Sequence, residues 1–335
     1  MRAPAAAPKL VYRSEIRPRS ILNQTASPVE THAHRSPVER VLYGPYGVRA
    51  GWRILLYALL VFGLASSLAT LLRAARVPWT FTLSGAVTLA AALVAGWLMI
   101  AFVDRRPPEA LGLALEPAAA RDSAAGFGLG AGGLVLAVAA LAVAGTARWV
   151  ADGGTAPEYV AALVRALGFF AVAAAMEEAL FRGYAFQALV QGIGAWPAML
   201  LTSALFSLAH LRNPNVDAVA LFNIFLAGVM LGVAYLKTRS LWFATGVHLG
   251  WNWAMSALLD FPVSGLVRDT PLYDARETGA DWWTGGEFGP EAGLAATLAV
   301  VLLTAWMLRT RRLGESPRMR AARPLVDDRL GEPWP

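Results

Sequence analysis

Apolar residues run along this chain in long, nearly uncharged blocks broken by short polar turns, a pattern that predicts membrane-crossing helices rather than amphipathic surface helices or alternating strands. The blocks fall at about Ile54–Leu72, Trp79–Val103, Ala124–Ala144, Tyr159–Leu189, Ile193–Leu211, Val216–Leu236, Leu241–Leu259 and Ala292–Leu308. Several approach the roughly 20 residues that a helix needs to cross the hydrocarbon. The expected fold class is all-α, a polytopic transmembrane helical bundle of about eight spans with an intramembrane polar cavity. The second block stops at Asp104-Arg105-Arg106-Pro107-Pro108, where charge and a proline pair end a helix abruptly. The fourth helix, from about Pro157 to Val190, would be roughly 50 Å long if continuous, so it must tilt, bend or protrude.

The flanks read differently. Residues 1–48 are rich in Pro, Arg and Ser without sustained periodicity, which predicts a flexible basic tail rather than a cleavable signal peptide. Residues 49–312 form the expected transmembrane bundle and 313–335 a C-terminal cytoplasmic tail. His32 and His34 lie in the first tail and read as solvated residues, not as a metal site.

Composition narrows the class. Of 335 residues 56% are hydrophobic and only 16% charged, with a mean hydropathy of +0.48, too apolar for an ordinary soluble domain. Cysteine is absent, which excludes disulfides, thiolate metal sites and a cysteine nucleophile. The net charge of +6 does not point to nucleic acid, because the basic residues concentrate in the two tails. Nine Lys and Arg lie in residues 1–53 and seven follow the last block, so both termini are expected in the cytoplasm. The loop Asp260–Glu291, with seven acidic residues against Arg268 and Arg276, should face outward. Trp282 and Trp283 in that loop read as an interfacial anchor, with a lid over the site as the alternative. The Ala, Arg and Gly bias suits a GC-rich bacterial genome, which makes the inner, plasma membrane the expected location and the lipid bilayer a partner.

Met176-Glu177-Glu178-Ala-Leu-Phe-Arg182-Gly183 places two carboxylates and a guanidinium inside an apolar helix, where charge costs at least a few kcal/mol unless paired or facing a cavity. Glu178 and Arg182 stand at i, i+4 and can pair, whereas Glu177 is turned away by about 100° and remains free. His210 and His248 are the only histidines outside the tail, and His248 and Asn252 share one helix face. Glu177 and His210 each lie roughly sixteen residues from the Gly192-Ile193-Gly194 turn, so two antiparallel helical arms bring them to similar depth. A buried Glu beside a His, both within reach of water, is a general-base arrangement, and His248 with Asn252 can hold an oxyanion. That chemistry is amide hydrolysis. A zinc ion held by Glu177, His210 and His248 is the metal-dependent alternative; the metal-free version is favoured because no His-Glu-x-x-His helix exists.

Glu177-Glu178-x-x-x-Arg182, Phe206-x-x-x-His210 and His248-x-x-x-Asn252, in this order on separate blocks, resemble the three motifs of the CAAX-processing and bacteriocin-processing (CPBP) intramembrane proteases, in particular the type II CAAX prenyl protease group. The resemblance covers a protease-like core at about 104–259. It implies an intramembrane endopeptidase acting on a membrane protein or peptide, with Glu177 and His210 activating water, His248 and Asn252 lining the oxyanion site, and Glu178 and Arg182 supporting them. Two rival readings use the same residues: an immunity or scaffold protein in which they are interhelical contacts, and a transporter with a proton-relaying carboxylate. Gly228 and Gly232 predict close helix approach in the sixth block, Asn223 an interhelical hydrogen bond, and Arg165 a side chain that snorkels to an interface.

Overall fold

The computed structural model describes residues 36–268, 270–331 and 334, and His32 and His34 lie outside them. Leu42–Pro335 form one compact unit that holds every element named below. Each apolar block is helical: α1 (Ala50–Ala74), α2 (Phe81–Leu98), α3 (Pro117–Val143), α4 (Ala156–Phe181), α5 (Tyr184–Ile193), α6 (Ala195–Ala209), α7 (Ala218–Thr238), α8 (Leu241–Trp253) and α9 (Leu294–Arg309). Of the described residues, 71% are helical. Among the described residues five helices are long and apolar enough to cross a membrane, α4 and α5 counting together as one helical stretch, and α6 and α9 are apolar but shorter. The outward faces carry large apolar side chains such as Leu59, Phe62, Phe102, Leu136, Val143 and Leu302, as lipid-facing surfaces do.

Local chemistry sets the helix ends. Thr80, Asp217 and Ser240 cap α2, α7 and α8 with their side-chain oxygens, and Thr155 with Glu158 forms a capping box at the start of α4. The fourth helical stretch, expected to tilt, bend or protrude, does so by a break: the rod ends at Arg182-Gly183 and restarts as α5. Gly183 packs against the Ala179 carbonyl with no room for a Cβ, so the chain turns there without a side chain in the way. The reversal into α6 comes at Gly194, whose φ of 93° suits glycine.

Close approach organises the centre. Gly126 and Gly130 of α3 meet Gly246 and Gly250 of α8 backbone to backbone; a Cβ at Gly130 would run into the Val247 carbonyl and one at Gly250 into the Phe127 carbonyl. Gly228 and Gly232 of α7 rest on Ser203 and Met199 of α6, as small residues at helix contacts allow. Asn223 donates to the Glu291 carbonyl at 2.7 Å and accepts from Thr297 at 2.7 Å, tying α7 to the start of α9.

The two ends of the bundle differ. At one, Arg53 pairs with Asp104 and donates to Gln191, Arg106 pairs with Asp328, and Arg239 pairs with Asp327 at 2.9 Å. The segment after α9 folds onto this end, burying Met319, Leu325 and Val326. At the other, β1 (Ala147–Ala151) and β2 (Tyr273–Glu277) pair antiparallel, with Trp149 opposite Ala275, and the loop around them forms a cap.

Candidate active site

The end of α4 supplies the core of the site. Glu178 is fully buried and Arg182 is 1% exposed, and they pair at 3.0 Å. Arg182 also donates to the Gly228 carbonyl at 3.1 Å and lies over the Phe206 ring, 4.5 Å from its centroid. A desolvated guanidinium is tolerated there because a carboxylate, a carbonyl and an aromatic face all receive its charge.

The close approach of α8 to α3 fixes where His248 can stand. Its Nδ1 bonds Glu178 Oε1 at 2.9 Å, and its Nε2 lies 3.7 Å from Glu177 Oε2. Glu178 thus holds Arg182 and His248 together, joining its own helix to α8. Glu177, one residue earlier, is not drawn into that pair and reaches a cavity of about 540 Å³.

His210, at the end of α6, binds the Phe206 carbonyl through Nδ1 at 2.8 Å. A carbonyl only accepts, so Nδ1 donates and Nε2 is the acceptor in the neutral ring. Glu177, His210, His248 and Asn252 all line the same cavity, whose walls also include Phe169, Phe170, Met176, Phe181 and Leu231. His248 lies 3.7 Å from Glu177, and His210 lines the same space. Phe206, to which the sequence assigned no role, is the hub: its ring centroid lies 4.8 Å from that of His210 and 6.0 Å from that of His248. Its signal in the sequence is an aromatic one helical turn before a histidine.

Arg212, Asn213, Ser264 and Glu291 also line the cavity and were not anticipated as site residues; they come from connections between helices, where spacing gives no periodicity to read. Trp282 and Trp283 are not among the lining residues. Trp282 is exposed and Trp283 packs on the main core.

Among the described residues no three His, Asp or Glu side chains converge closely enough to hold a metal ion. Glu177, His210 and His248 face one space, but in this arrangement they do not fit as a metal triad.

Residues 159–254 match the family described as Type II CAAX prenyl endopeptidase Rce1-like. The matched segment runs from the first turn of α4 through the end of α8 and contains all six side chains of the site. It agrees with the resemblance drawn from the three motifs. No curated protein matches the chain. With its apolar helices, the chain is a multi-pass membrane protein.

Proposed function

We propose that this protein is an intramembrane endopeptidase of the inner, plasma membrane, with both termini in the cytoplasm, hydrolysing a peptide bond in a membrane-associated protein or peptide. The observation that carries the reading is the division of labour between adjacent glutamates: Glu178 is buried in a pair with Arg182 and His248, while Glu177 faces the cavity shared with His210, His248 and Asn252. Residues serving only as interhelical contacts need the first glutamate and not the second.

In the mechanism Glu177 takes one proton from water, and His210, oriented by its bond to the Phe206 carbonyl, accepts at Nε2 a hydrogen bond from the O–H that stays on the attacking oxygen. The oxygen adds to the scissile carbonyl carbon. The oxyanion so formed accepts from Asn252 and from protonated His248, whose ring is held by Glu178 through Nδ1. The C–N bond then breaks, and the departing amine takes the proton held by Glu177. The apolar walls hold the peptide and exclude bulk water.

The test is cleavage of a membrane-peptide library by purified wild type and Glu177→Gln, with and without chelator, after their thermal stabilities are matched. Losing the general base should lower the rate by about 10²–10⁴, and wild-type cleavage should survive chelation. Cleavage by Glu177→Gln at the wild-type rate would overturn the assignment. Activity lost on chelation and restored by zinc would replace the metal-free route with a metal-dependent one.

A further inference from the structure

The bundle has two chemically different ends, and the cavity reaches only one. The first end is the polar lock made by Arg53 with Asp104, Arg106 with Asp328 and Arg239 with Asp327. The second is the cap, where the Asn213 side chain donates to the Ser264 carbonyl at 3.0 Å and Glu291 accepts from the Ser264 N–H and hydroxyl, both at 2.8 Å. The cavity has its floor at His248 and Leu231, near the middle of α8 and α7, and rises past His210 to Arg212, Ser264 and Glu291. None of its lining residues belongs to the first end.

Charge assigns these ends to the two sides of a membrane. The first end carries Arg53, Arg106, Lys237 and Arg239 and leads into the six arginines that follow α9. At the second end the helix ends and connections hold Arg73, Arg76, Arg148, Arg212, Arg268 and Arg276, fewer Lys and Arg than the first end and the segment after α9 carry together, and the 260–291 loop is acidic in sequence. Lys and Arg close to membrane helices are retained on the cytoplasmic side, whereas acidic residues contribute little to orientation. The first end is therefore cytoplasmic and the second is not.

We propose that the cavity opens on the extracytoplasmic face, and that its substrate is an apolar peptide segment presented from that face by a membrane-associated polypeptide. The substrate half of this inference rests on the endopeptidase reading; the sidedness does not. Apolar walls ending at a polar rim fit a chain that enters along the membrane with an apolar stretch and leaves a hydrated flank outside. A protein confined to the cytoplasm would meet the locked end, where the wall of the cavity is closed by packed helices.

The absence of cysteine makes the test direct, because every label reports an introduced position. Ala280→Cys in the cap, Ala209→Cys in the cavity wall and Arg311→Cys after α9 place a thiol at three residues that are exposed in the structure. Full-length variants are treated in intact cells with a membrane-impermeant maleimide and then again after lysis. Ala280→Cys and Ala209→Cys should label in intact cells, and Arg311→Cys only after lysis. The reverse pattern overturns the orientation, and labelling of Ala280→Cys without Ala209→Cys overturns the outward opening. In a second arm, impermeant peptides with charged flanks are added to right-side-out and inside-out membrane vesicles. Cleavage confined to right-side-out vesicles supports the substrate assignment, and equal cleavage in both overturns it. Labelling needs no catalysis, so failure of the protease reading, seen as undiminished cleavage by Glu177→Gln, stays separate from failure of the sidedness.

Discussion

Arg182 is completely enclosed and donates at once to Glu178, to the Gly228 carbonyl and to the face of Phe206. Removing one member of such a buried pair leaves the other charge without compensation, which costs about 3–5 kcal/mol. Arg182→Met should therefore destabilise the protein by that order in thermal unfolding in detergent. The double variant Glu178→Gln/Arg182→Met should recover part of the loss, because no charge is left buried. Glu177→Gln, at a side chain 23% exposed to the cavity, should change stability by less than about 1 kcal/mol. If Arg182→Met unfolds no more easily than Glu177→Gln, the buried pair is not the anchor of the site. The split between the two glutamates was legible from the 3.6-residue helical repeat alone. The second partner of Glu178 was not, because His248 lies seventy positions away and only the packing of α8 brings it there.

Among the helices, the contact between α3 and α8 leaves little tolerance, since four glycines let the two backbones meet directly. A methyl at Gly130 would press on the Val247 carbonyl, one residue before His248, whereas Gly132 faces open space. Gly130→Ala should cost about 1–3 kcal/mol as an overpacking substitution and lower catalytic turnover by displacing His248 and Asn252. Gly132→Ala should be neutral or slightly stabilising, since alanine is the better helix former. Melting temperatures and cleavage rates for this pair check both statements, and equal behaviour would remove the seam from the account of the site. The glycine pair of α7, Gly228 and Gly232, was read in advance from its spacing. The pairs in α3 and α8 have the same spacing, but their partnership is a matter of which helices become neighbours, and the sequence does not encode that locally. The break at Arg182-Gly183 likewise has a glycine as its only sequence mark, and glycine inside a helical pattern is ambiguous until its surroundings are known.

At the scale of the molecule, the segment after α9 acts as a strap: Asp327 and Asp328 reach Arg239, Arg106 and Gln191, and the Leu325 N–H donates to Gln187 at 3.1 Å. Truncation after Glu315 would expose the surface buried by Met319, Leu325 and Val326 and leave Arg239 without its carboxylate. With roughly 1.5–3 kcal/mol for each large apolar side chain returned to water, the loss should reach several kcal/mol in thermal unfolding; an unchanged melting temperature would mean that the strap contributes nothing. Burial raises the Asp327 carboxyl above its ordinary value, against the opposing pull of Arg239, so this group alone favours the folded state less as pH rises through that raised value. Its worth to the fold lies in compensating Arg239.

The sequence by itself determined that this is a helical membrane protein, where its helices lie, and which polar side chains fall inside its apolar blocks, because hydrophobic block length and helical spacing are local properties. Tertiary structure alone decided that Glu178 binds His248, that Phe206 joins the histidines, that the fourth helix breaks beneath the site, and that the cavity rises to the acidic end. Those features depend on which helices pack together and at what depth, and in a chain of uniformly apolar helices that choice is made by glycine seams and buried polar pairs acting between distant segments.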